Sequence, residues 1–163
     1  MYKIRNAGTE DIALIRELTW QVWPQTYAPI LSQEQINYML NMMYSETSLQ
    51  QQMEEGAQFI IVYEQDSPVG FASYQAIAPA VYKLHKLYVL PNQQGKGTGR
   101  LLINHIINSI KPAGAHALQL QVNRNNTAKL FYEKLGFATI KEVKLDIGNG
   151  YVMDDYIMEL KIV

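Results

Sequence analysis

The sequence reads as an α/β fold built as one domain over residues 1–163, a length suited to a single core. Three features carry that reading. Strand-like and helix-like segments alternate along the chain. The strand ending near Leu90 runs through a glycine-rich stretch directly into an apolar helix. Asn149-Gly150 marks a hairpin between two final strands.

The elements follow in order. Tyr2 to Asn6 predicts a short strand. Thr9 is placed to cap a first helix reaching about Trp23, with Glu10 and Asp11 at its positive end. Pro24 and Pro29 bracket a loop, and Ser32 opens a second helix with Gln35 in capping-box spacing. A further helical stretch covers Glu46 to Glu55. Beyond Gly56 the apolar run Phe59 to Tyr63 is strand-like, Asp66-Ser67-Pro68 has turn chemistry, and Val69 to Ala78 pairs back. Leu84 to Leu90 forms the next strand. An apolar helix from about Gly99 to Ile110 stops before Pro112. Ala117 to Val122 is a strand and Thr127 to Leu135 a helix, with Gly136 as its C′ residue. The resulting order is β-α-α-(α)-β-β-β-α-β-α-β-β, without repeat or linker.

Composition narrows the chemistry. The chain has no cysteine, so disulfides and thiolate chemistry are excluded. His85, His105 and His116 show no metal-ligand clustering. There is no signal-like apolar start and no run long enough to span a membrane, so a cytoplasmic protein is expected. No compact basic tract interleaved with aromatics points to nucleic acid. The net charge of −1 hides a split: residues 1–80 carry three Lys/Arg against nine acids, whereas residues 81–163 carry eleven against six. A basic half can steer an anionic ligand and an acidic half a cationic one.

The loop Gln94-Gly95-Lys96-Gly97-Thr98-Gly99-Arg100 lies between the strand and the helix that begins near Leu101. A helix start offers unpaired N–H groups and a positive dipole end, and alternating glycines let a phosphate approach them. Lys96 and Arg100 add positive charge. The spacing fits neither Gly-x4-Gly-Lys-Ser/Thr nor the dinucleotide fingerprint, and Leu118 to Val122 offers no ribose-binding acid.

Here the chain resembles the GNAT superfamily of N-acetyltransferases. Gln94, Gly97 and Gly99 match its Gln/Arg-x-x-Gly-x-Gly/Ala signature. The segment Asn125-Asn126-Thr127-Ala128-Lys129-Leu130-Phe131-Tyr132-Glu133-Lys134-Leu135-Gly136-Phe137 is similar to the family's second conserved helix at the expected distance downstream. The resemblance implies a mixed, mostly antiparallel central sheet with helices on both faces. It also implies direct acetyl transfer from acetyl-CoA to a primary amine, with no metal and no covalent enzyme intermediate.

The resemblance assigns roles residue by residue. The main chain of Leu87, Tyr88 and Val89 would pair with the pantetheine arm, and Gln94 to Arg100 would hold the pyrophosphate. Asn125 or Asn126 would contact the pantetheine or cap the helix. Tyr132 would stabilise or protonate the leaving thiolate. Many relatives carry a glutamate base where Lys83 stands. His85, two residues on, has a pKa suited to a base, or else simply fills that face. Ordered water leading to Asp154, Asp155 or solvent is a third route. Trp20, Trp23, Tyr27, Met39, Met42 and Met43 are candidates to line the acceptor site, although such residues at helical spacing also suit a core.

The tail Ile147 to Tyr156 resembles a bacterial branch that includes polyamine acetyltransferases, and Asp154 and Asp155 would then suit an ammonium-bearing small molecule. Acetylation of a protein N-terminus or lysine is the alternative. A non-catalytic acyl-CoA-binding regulatory module is a second. Homodimers are common among similar proteins.

Overall fold

A computed structural model describes residues 1–163. Its single sheet has seven strands: β1 (Tyr2–Ala7), β2 (Gln58–Glu64), β3 (Ser67–Ala78), β4 (Val81–Val89), β5 (Ala117–Asn123), β6 (Ala138–Gly148) and β7 (Tyr151–Lys161). They lie in the order β1-β2-β3-β4-β5-β7-β6, antiparallel throughout except for the parallel pair β4 and β5. Five helices complete the fold: α1 (Ile12–Tyr27), α2 (Gln33–Tyr44), α3 (Glu46–Glu54), α4 (Thr98–Ile110) and α5 (Ala128–Lys134). This is the mixed, mostly antiparallel architecture expected, with helices on both faces.

The central strands are apolar on both sides because both sides are covered. Along β2, Ile60 and Val62 join a core with Leu102, Ile103, Ile106 and Ile110 of α4, whereas Phe59 and Ile61 face the core of α1, α2 and α3. Side-chain alternation within one strand therefore serves two separate cores.

Several local features depart from the sequence reading. The first helix does not begin at Thr9: residues Thr9–Asp11 form a 3₁₀ turn, and α1 starts at Ile12. The buried Asp11 carboxylate takes Arg5 through two hydrogen bonds, at 2.7 and 3.0 Å, and the Gly8 N–H at 3.0 Å, tying β1 to the helix start. The helix also passes through Pro24 to Tyr27. Proline costs one helical hydrogen bond. Burial of Trp23 and Tyr27 on either side of it, with ring centroids 4.4 Å apart, offsets that loss. Ser67 and Pro68 belong to β3, and the turn is Gln65-Asp66, with Gln65 at φ 56°. Pro68 sits at a register shift, where a ladder tolerates a missing N–H.

Other expectations hold. Ser32 Oγ accepts the Gln35 N–H at 3.1 Å, and Ser45 Oγ caps α3 in the same way through Ser48. Asn149 and Gly150 adopt φ of 53° and 79°, the paired positive angles of a two-residue hairpin turn.

Replacing Asp11 with Ala should cost about 2 kcal/mol in urea unfolding, because it strands the Gly8 N–H and removes both hydrogen bonds from Arg5 to a buried carboxylate. Arg5 chiefly holds the Asp11 pKa below its ordinary value. That stability is therefore present above pH about 4 and is lost as pH falls through the lower folded value, a loss the variant should lack.

Candidate active site

Strands β4 and β5 pair only from Val81–Ala117 to Leu84–Leu120. Beyond that they part, although β3 still holds β4 to Val89 and β7 holds β5 to Asn123. The opening becomes a cavity of about 940 Å³ lined by Leu87, Tyr88, Val89, the glycine loop and the start of α5. Its floor is strand backbone with no partner on that side.

The glycine loop closes one end. Gly95 and Gly97 adopt φ of 81° and 84°, and Gly97 is the residue from which α4 begins. Inside the protein, the N–H groups of Gly95, Gly97, Thr98, Gly99 and Arg100 have no acceptor, and all five residues line the cavity. Lys96 does not: its N–H is spent on the Gln93 carbonyl at 3.2 Å, and it stands outside the lining. Gln93, which the sequence reading passed over, is buried beneath the loop. Its Oε1 accepts Thr98 Oγ1 and Tyr2 Oη, each at 3.1 Å, and its Nε2 donates to Glu64 at 3.2 Å.

The start of α5 forms another wall. Asn126 Oδ1 accepts the Ala128 N–H at 2.9 Å in a side-chain turn that leads into the helix, whose cap position is Thr127; Asn125 is more exposed. Both line the cavity. Tyr132 is buried edge-on against Phe131 and Phe137 and has no hydrogen-bond partner in the protein. Burial, and secondarily the neighbouring Tyr27, raise its pKa, so it remains a neutral phenol at physiological pH.

A second cavity of about 370 Å³ lies between the sheet, α1, α2 and the β6–β7 hairpin. Tyr27, His85, Tyr88 and Gln121 line both cavities and mark where they meet. Trp23, Tyr27, Met39 and Met43 line the smaller one, whereas Trp20 and Met42 are 40% and 39% exposed and lie elsewhere. The two aspartates separate, as neighbours on a strand must. Asp155 is buried in this wall and accepts Gln121 Nε2 at 3.2 Å, while Asp154 turns away to Arg124 at 3.2 Å. They do not form a paired carboxylate site.

The register of β4 explains a residue the sequence reading missed. Ser73 pairs with Lys86 and Tyr74 with Leu84, so His85 is the extra residue of a β-bulge. Simple alternation would put Lys83 and His85 on one face and Lys86 on the other. Instead all three line the smaller cavity. His85 pairs with Gln75 Oε1 at 3.1 Å; burial first, then Lys83 and Lys86, push its pKa down to about 4. Lys86 is 8% exposed, and its ammonium rests 4.6 Å from the centroid of the Tyr44 ring. Burial, and then Lys83, lower its pKa to about 8. Lys83 donates to Gln121 at 3.2 Å.

No group of three or more His, Cys, Asp or Glu side chains is placed to hold a metal ion. No helix is long and apolar enough to cross a membrane.

Comparison with known proteins gives a consistent family. The model for the acetyltransferase (GNAT) domain matches residues 27–160. Spermidine N(1)-acetyltransferase of Thermoplasma acidophilum is 28% identical over 98% of this chain and 96% of its own. The ribosomal protein bS18-alanine N-acetyltransferase of Haemophilus influenzae is 36% identical, but over only 45% of this chain and half of that relative. Among solved structures, the PaiA N-acetyltransferase of T. acidophilum in complex with coenzyme A superposes with a TM-score of 0.83 at 27% identity, covering 99% of both chains.

Burial of Lys86 without a counter-charge is costly. A lysine pKa lowered from 10.5 to about 8 corresponds to roughly 3 kcal/mol. The unfolded chain binds the extra proton between pH 8 and 10.5, so this group's contribution makes stability rise with pH across that window. Lys86→Met should therefore be more stable than wild type at pH 7 in denaturant titration. The difference should shrink as pH approaches 10.

Proposed function

We propose, for a chain that belongs to the GNAT acetyltransferase family, that the larger cavity takes acetyl-CoA and the smaller one a primary amine of a small molecule, with direct acetyl transfer between them. The observation that carries this reading is the set of free N–H groups at Gly95, Gly97, Thr98, Gly99 and Arg100 around the start of α4. Five amides without acceptors, glycine clearance and the helix dipole suit a pyrophosphate. The coenzyme A complex of the T. acidophilum neighbour supports the same assignment.

The remaining residues then take roles by position. The free edge of β4 at Leu87–Val89 offers main-chain pairing to the amides of the pantetheine arm. Asn126, already holding the start of α5 through Oδ1, has its amide nitrogen left for the same arm. Acetyl-CoA supplies an activated thioester. Tyr132 meets the charge that develops on its sulfur. Because its pKa is raised far above that of a thiol, the phenol donates a hydrogen bond and keeps its proton.

At the junction of the cavities, Gln75 Nε2 is committed to the Glu55 carbonyl at 2.7 Å, so its Oε1 faces His85. His85 Nε2 then carries the hydrogen, and Nδ1 is free to accept a proton from the amine. Its pKa of about 4 makes His85 a weak base, so its part is to orient the amine and relay the proton to solvent, to which the residue is exposed. Much of the rate comes from holding amine and thioester together.

A small-molecule acceptor is favoured over a protein segment by how the smaller cavity is roofed. Tyr38 Oη donates to the Ile147 carbonyl at 2.6 Å, and Gln35 Nε2 to that of Val152 at 3.2 Å, tying α2 to the β6–β7 hairpin. An extended peptide would have to break these ties.

Calorimetry should detect acetyl-CoA binding, and absence of binding would remove the assignment. Gly97→Ala puts a side chain at φ 84°, where no protein atom lies within 4 Å. It should weaken acetyl-CoA binding about tenfold while costing only about 1 kcal/mol of stability. Tyr132→Phe should lower kcat by about 10–100-fold with acetyl-CoA affinity nearly unchanged; full turnover would end its proposed part in catalysis.

A further inference from the structure

The smaller cavity contains two buried donors and nothing to receive them. Lys86, 92% buried by its 8% exposure, makes no ion pair or hydrogen bond, and its ammonium rests against the Tyr44 ring. The Trp23 indole Nε1 is buried without a partner; the Tyr44 hydroxyl stands near it without completing a hydrogen bond. Both side chains line the cavity. A buried cation and a buried N–H left this way each carry a desolvation cost, and an incoming anion relieves that of the Lys86 ammonium.

The other charges there do not relieve them. Asp155 is engaged by Gln121, which in turn accepts Lys83, so this carboxylate is linked to the other lysine. Glu55, at the exposed rim, accepts from Gln51. A polyamine would bring only more N–H donors and more positive charge to Lys86. An amine that also carries an acid brings the missing acceptor atoms, and Asp155 Oδ1, which takes no hydrogen bond, remains open to its ammonium.

We infer that the acceptor is an amine bearing a compact anionic group, a carboxylate above all, which is held by the Lys86 ammonium. This rests on the reading that the smaller cavity takes the amine. Lys86 is then a binding residue for the acceptor and sets specificity.

The test uses matched pairs. CoA release is measured for α- and ω-amino acids, their carboxamides, aminoalkyl phosphonates and spermidine, with wild type, Lys86→Met and Lys86→Arg. The carboxylate of the best pair should exceed its carboxamide by about tenfold or more in kcat/KM. Lys86→Met should raise KM for the carboxylate about tenfold more than for the carboxamide, so that the ratio within the pair collapses, and Lys86→Arg should keep the preference. A preference for the phosphonate supports the anion site and changes only its head group. Spermidine or the carboxamides matching the carboxylates in wild type would overturn the inference, as would Lys86→Met lowering both members of a pair alike.

Should no amine turn over, N-acetylated amino acids are titrated into protein saturated with CoA. Binding that Lys86→Met abolishes supports the inference, and absence of binding overturns it. Failure to bind acetyl-CoA is read separately by calorimetry and bears on the donor site alone.

Discussion

Between Val81 and Leu84, β4 lies hydrogen-bonded beside β5; past Leu84 the two strands face one another across an open cleft. Neither is loose, since β3 holds the outer edge of one and β7 the outer edge of the other. The cleft is therefore a gap between fixed walls, bordered by main-chain groups whose natural partners have been withheld. Unpaired backbone in a protein interior is costly. A ligand with amides of its own is the complement that such an edge lacks. The location follows from the topology: the only parallel pair in the sheet places both C-terminal strand ends, and the helix that begins after β4, at one opening.

Gln93 shows how that opening is kept in shape. Buried below the glycine loop, it joins Thr98 at the start of α4, Tyr2 of β1 and Glu64 of β2. The loop itself contributes little packing, because its glycines have no side chains. Its geometry is borrowed from the sheet through one amide side chain. Nothing in the local sequence distinguishes Gln93 from Gln94, which lies one residue nearer the motif and carries the motif match. Only the fold reveals which glutamine is buried.

The legible parts of the sequence were those with a local cause. Ser32 with Gln35, the Asn149-Gly150 turn and the apolar stripe of α4 each follow from contacts within a few residues, and each is found where expected. The misread parts depend on distant partners. Pro24 reads as a helix end until burial of Trp23 and Tyr27 carries α1 through it. Asp11 reads as a residue favouring a helix start, yet its carboxylate is committed to Arg5 of β1. The bulge at His85 has no composition of its own; it exists because β3 sets the register, and it brings Lys86 into the cavity. Asp154 and Asp155 look paired in sequence but must point apart on β7.

The same distinction separates the two halves of the site. The half proposed for acetyl-CoA is formed by main chain, and main-chain recognition constrains sequence: glycine is required where Cβ would intrude or where φ is positive, so a spacing of glycines records it. The half proposed for the amine is formed by side chains from α1, α2, β4 and β7, among them Trp23, Tyr44, Lys86 and Asp155, that meet only in the folded chain. No spacing rule links those positions. Their signature is energetic, in a cation without a counter-charge and an indole without an acceptor, both kept at the expense of stability in the free protein. A buried group whose requirement is unmet within the chain specifies what its ligand must supply, and here that requirement is for negative charge.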